Sequence, residues 1–105
     1  MQTILISTLA ILSTGVVFAA DLKDGQASYE KACKSCHGAD GAANPAIAKM
    51  MKVEMKDLKA ADVQARSDAD LKKVVTAGEG KMKASASVTG ASVDNVVAYV
   101  RSLKK

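Results

Sequence analysis

Both cysteines of the 105-residue chain and its single histidine fall within five consecutive positions, Cys33, Lys34, Ser35, Cys36 and His37. Two thiols two residues apart, followed at once by an imidazole, can serve several kinds of chemistry. As a disulfide they would close a very small loop and leave the histidine without a part. A dithiol redox pair of the thioredoxin kind belongs at the start of a helix in a βαβ setting, and no strand pattern here supplies one. A structural zinc site takes four protein ligands, more than the usual N and S donors of this chain provide.

Covalent haem attachment uses all three residues. The two thiols project from one turn of helix, spaced to add across two vinyl groups on adjacent edges of a protoporphyrin, and the following imidazole can swing beneath the ring to reach iron. C-x-x-C-H is the sequence signature of that attachment. It predicts one haem c per chain, held by two thioethers at Cys33 and Cys36, with His37 on the iron. Because no second histidine exists, bis-histidine ligation within the chain is excluded. The other axial position falls to Met, Lys, water or nothing. Of the five methionines, Met1 leaves with the leader described below and Met50, Met51, Met55 and Met82 remain; Met50 and Met51 lie on the apolar side of a predicted helix, where a flexible core filler is the ordinary reading. Met82 sits in the polar loop GEGKMK with no helical face to explain it. That makes Met82 the ligand candidate, with Lys81 and water as the alternatives.

The elements that must position these groups have little bulk of their own. Apolar residues are 49% of the chain, yet it has no Trp, one Phe and two Tyr. Small domains with such a core usually need a staple of disulfide, metal or cofactor, and a porphyrin supplies a large flat apolar surface for helices to surround. The opening MQTILISTLAILSTGVVFAAD carries no charged side chain before Asp21 and reads as a secretory signal. Val17 and Ala19 suit cleavage after residue 19, so the expected organisation is a signal peptide over 1–19 and one domain over 20–105. An uncleaved anchor is the alternative. The domain is expected outside the cytoplasmic membrane, in the periplasm. The formal charge of +4 comes mostly from lysines spread without a dense run or interleaved aromatics, a poor match to nucleic-acid binding.

Helical spacing dominates, and the domain is predicted all-α. A first helix is expected from about Asp24 through Cys36. Asn44 and Pro45 read as N-cap and first position of a short second helix. Ser67 and Asp70 resemble a capping box opening a third helix over about 68–77, with Gly78 at its end. Ser92 is the expected cap of a last helix in which Val93, Val96, Val97, Val100 and Leu103 follow the spacing of one buried face.

On these pieces, namely Gly25 and Tyr29 ahead of the C-x-x-C-H-G motif, NPAI, GEGKM and the closing VVAYVRSL, the chain resembles the class I c-type cytochromes of the small bacterial monohaem kind over essentially the whole mature domain. It departs from them at Ser28, where a large apolar residue is usual, and after Met82, where ASASVTGAS replaces a proline and an aromatic. The resemblance implies a cytochrome c fold of three to four helices around one haem, with the first and last helices crossing at Gly25 and bringing Tyr29 and Tyr99 together. It further implies that the Pro45 carbonyl accepts a hydrogen bond from His37 Nδ1–H, and that Met82 is the axial ligand. With both axial positions filled, the expected function is one-electron carriage between redox complexes, not catalysis, by a monomer without stable membrane insertion once the signal is removed. Lys81, Lys83, Lys34 and Lys49 would face partners with acidic docking surfaces. Two other readings stay open: a haem enzyme or gas-binding protein, for which no distal acid–base pair is available, and a subunit of a fixed complex.

Overall fold

The computed structural model describes residues 20–103; the expected signal segment lies outside the described residues. Six helices follow one another among them: α1 (Leu22–Ala32), α2 (Lys34–His37), α3 (Pro45–Met51), α4 (Ala61–Gln64), α5 (Asp68–Ala77) and α6 (Ala91–Ser102). The only extended pairing among the described residues is an isolated bridge between Glu79 and Met82.

The expected first helix is two. Asp21, not Asp24, caps it, its carboxylate accepting from the backbone N–H groups of Lys23 and Asp24. At Cys33 the backbone leaves helical geometry (φ −120°, ψ −35°) before α2 resumes. Asn44 and Pro45 open α3 as their types dictate, the Asn44 side chain accepting from Ala46 N–H. Ser67 likewise caps α5, accepting from Asp70 N–H at 3.1 Å. The last helix starts two residues earlier than a Ser92 cap requires, with Gly90 (φ 57°) at the cap position and no side-chain bond there.

α1 and α6 cross at Gly25, and the crossing depends on that residue having no side chain. A Cβ there would stand 2.1 Å from the Asn95 carbonyl oxygen and 3.1 Å from Tyr99 Cβ. Asn95 closes the same junction with its amide, accepting from Asp21 N–H at 2.9 Å and donating to Asp24 at 2.7 Å. One turn further along, the Tyr29 and Tyr99 rings meet at 5.2 Å between centroids, tilted by 55°. The expected helix crossing is thus present.

Around this pair the buried side chains are Tyr29, Cys33 and a set of valines, Val63, Val75, Val88, Val93, Val96 and Val97. Valines pack well but are short, so helices brought together by them leave space between facing walls. Met50 contributes nothing to the core. It is 70% exposed, which corrects the expectation of a core filler: α3 is only seven residues long and buries none of them, whereas Met51 beside it is half-buried.

Candidate haem site

The space between the walls is an apolar cavity lined by Tyr29, Cys33 and His37 on one side, by Leu58, Val63, Leu71, Val74, Val75 and Met82 on another, and by Val96, Val97 and Val100 of α6. Two of the three residues of the Cys-Cys-His motif, Cys33 and His37, therefore share a cavity with Met82, which is distant from them in sequence. Neither Met50 nor Met51 lines it.

The proximal wall is built by α1 and α2. Tyr29 is fully buried, and its hydroxyl donates to the Gly38 carbonyl at 2.7 Å. That bond ties the end of the motif to α1. The following loop folds back on α2: Ala43 N–H donates to the His37 carbonyl at 2.9 Å and Asn44 N–H to that of Cys36 at 2.8 Å, while the Asn44 amide donates to the Ser35 carbonyl at 3.2 Å. Reaching this geometry puts Ala43 at φ 76°, a left-handed conformation that costs a residue with a side chain and persists only where its surroundings enforce it.

Both thiols are free, Cys33 buried and Cys36 half-buried. Burial pushes the Cys33 thiol above its ordinary range, and Cys36 beside it adds a smaller push in the same direction. Burial also lowers the His37 imidazole, favouring the neutral ring, the form that ligates metals. His37 Nδ1 is buried without a hydrogen-bond partner among the described residues. The Pro45 carbonyl therefore does not accept from it in this structure. Pro45 is the first residue of α3, and a carbonyl there is aligned with the helix axis.

The distal wall is a short hairpin. Glu79 and Met82 exchange both backbone hydrogen bonds at 2.9 Å, and Gly80 supplies the positive φ of 56° wanted at the first central position of a tight primed turn. Gly78 ends α5 at φ 80°, and a Cβ on it would stand 2.6 Å from the Met82 carbonyl oxygen. Ser85 N–H donates to the Val75 carbonyl at 2.8 Å, and Val88 is buried, so the apparently soft stretch after Met82 is fastened to α5. The Lys81 ammonium donates to the Met51 carbonyl at 2.7 Å. Lys81 does not line the cavity, whereas Met82 does.

The residues fit a haem c site: an apolar slot lined by a motif thiol, the motif imidazole and a methionine thioether. Helices crossing over such a slot define the class I c-type cytochromes. Residues 20–100 match the family model described as "Cytochrome C oxidase, cbb3-type, subunit III". Among solved structures, the KustC0563 c-type cytochrome is similar at 27% identity and a TM-score of 0.66, over 78% of this chain and 99% of that one. No curated protein sequence matches. The chain belongs to the family of that model and is a small class I c-type cytochrome, an electron-carrying haem protein.

Proposed function

We propose that the protein is a one-electron carrier bearing a single haem c, attached through Cys33 and Cys36 and ligated axially by His37 and Met82. The observation that carries this reading is the apolar cavity that His37 and Met82 both line. Haem c supplies an iron couple that gains and loses one electron. The chain's own residues decide how it is used. His37 provides a neutral nitrogen donor, and Met82 a soft thioether that favours the reduced metal and raises its potential relative to bis-histidine haem. The valine walls give the group apolar surroundings. With both axial positions taken, no site is open for a substrate, so the reading is a carrier and not an enzyme. The test is the spectrum of the purified ferric protein: the weak near-infrared sulfur-to-iron band is expected in wild type and absent from Met82→Ala, and the haem should stay with the denatured chain in acidified organic solvent. A wild-type spectrum without that band would overturn the axial assignment.

Two further parts of the reading concern where and with whom the protein works. Export to the periplasm rests on the character of residues 1–19. Among the described residues no helix is long and apolar enough to cross a membrane. Lys34, Lys49, Lys81 and Lys83 are exposed, and such a cluster near the exit edge would speed encounter with an acidic partner, an effect that fades as salt shortens the Debye length to about 8 Å. Electron transfer to an anionic reagent should slow with ionic strength and slow further in a Lys81→Glu, Lys83→Glu variant; flat curves for both would leave the docking face without support. The description of the matched family names an oxidase subunit, which favours a second reading, residence in a fixed complex. Co-purification of stoichiometric larger subunits from the native source would select it over a free monomer.

A further inference from the structure

Met82 is carried by a two-residue turn between α5 and α6 that has no core residue of its own. What holds the turn in place is a chain of polar contacts starting on α6. Arg101 reaches out of α6 to the connection between α4 and α5, donating to the backbone carbonyls of Gln64 and Arg66 at 2.6 Å each and to the Asp68 carboxylate at 2.8 Å. The backbone of Arg66 is thereby fixed. Its side chain then crosses to the hairpin, where both terminal nitrogens bond the two oxygens of Glu79 at 2.8 Å each. Glu79 in turn is the residue whose backbone pairs with Met82 in both directions.

We propose that the Arg66–Glu79 pair is the clamp that keeps Met82 on the iron, so that both are positioning residues for the axial ligand. The proposal rests on the reading of Met82 as that ligand. A solvent-exposed ion pair is ordinarily worth little, but a bidentate arginine–carboxylate fork fixes direction as well as distance, and here it acts on a small local equilibrium. The competing state is the hairpin swung away with the sulfur off the metal, which gives up the Arg66–Glu79 fork, the Lys81 tether to Met51 and the place of Met82 in the cavity. A few-fold change in such an equilibrium is directly visible, because an added ligand binds only the fraction with the position open.

The experiment uses the haem-loaded ferric protein and imidazole as the probe, with amide exchange at Met82 N–H as a readout independent of the metal and denaturant midpoints measured alongside. Arg66→Gln and Glu79→Gln should each tighten apparent imidazole binding about 2- to 5-fold, weaken the near-infrared band and speed exchange at Met82. Arg66→Lys should recover only part of the effect, since a point charge cannot form the fork. The exchanged double variant Arg66→Glu, Glu79→Arg should recover it where the single reversals do not. Lys72→Gln, which removes the exposed pair with Asp94 between α5 and α6, is the control and should leave imidazole binding unchanged. Wild-type imidazole affinity and exchange in Arg66→Gln, or an equal rise in Lys72→Gln, would overturn the clamp. Failure of the underlying reading has its own signature: a Met82→Ala protein with the wild-type band and wild-type imidazole affinity would remove the ligand itself, and the clamp with it.

Discussion

His37 and Met82 face one cavity but are held there by different means. The histidine belongs to a motif whose donors are neighbours in sequence, on a wall made of two helices, pinned by a fully buried tyrosine and by three returns of the following loop onto α2. The methionine stands on a hairpin at the surface, held by an exposed fork, a lysine tether and two backbone bonds. The first wall is held by buried contacts, the second mostly by exposed polar ones. Regions with few buried apolar contacts and exposed hydrogen bonds are those that open at low free energy.

Two glycines separate these behaviours. Gly25→Ala drives a Cβ into the Asn95 carbonyl, 2.1 Å away, at the junction of two packed helices, and should cost about 3 kcal/mol or more of global stability in denaturant unfolding. Gly78→Ala forces a similar contact, 2.6 Å from the Met82 carbonyl and at φ 80°, but against a turn that can move. It should cost less, about 1–3 kcal/mol, and should show first as loss of the sulfur-to-iron band. Equal unfolding midpoints for the two variants would erase the contrast between the walls.

Within the proximal wall, Tyr29→Phe removes the hydroxyl that serves the Gly38 carbonyl and should lower stability by about 1–2 kcal/mol. The same residue gives a pH signature. Burial raises the Tyr29 hydroxyl above its ordinary value, so the folded protein keeps a proton that the unfolded chain releases at about pH 10, and stability should fall as pH climbs past that point. Unfolding midpoints between neutral and strongly alkaline pH should drop less steeply in Tyr29→Phe than in wild type. The smallest effect is reserved for Met50→Ala: at 70% exposure the change should stay within about 0.5 kcal/mol and leave the visible spectrum alone.

The same contrast governs what could be read before the fold was known. Cys33, Cys36 and His37 announce themselves by adjacency, and Asn44, Pro45, Ser67 and Gly78 by local capping rules that depend on a few neighbouring residues. Gly25 and Tyr99 were legible only through the resemblance, and their close approach is present. Less was legible where the cause is distant. The break at Cys33 carries no proline or glycine to mark it, α4 is a single turn with no side-chain cap, and the exposure of Met50 follows from how little α3 packs. Arg66 and Glu79 lie 13 residues apart in sequence with unremarkable neighbours, so only the fold pairs them. The hydrogen bond expected from His37 to Pro45 was likewise a matter of tertiary placement, and local pattern could not supply it.

The Asn95 amide that fastens Asp21 and Asp24 joins residues 74 and 71 positions apart, nearly the whole span of the domain. Loop closure over that distance must precede any reward from the contact, and topologies dominated by such long-range pairings assemble slowly. By that measure the α1–α6 crossing should close after the local bond of Tyr29 on α1 to Gly38, nine residues away. Until it closes, the Cys33 thiol that the finished fold buries should stay exposed. On the proposed reading of Cys33 and Cys36 as the points of haem attachment, a crossing that closes late would leave both thiols accessible while the cofactor is joined.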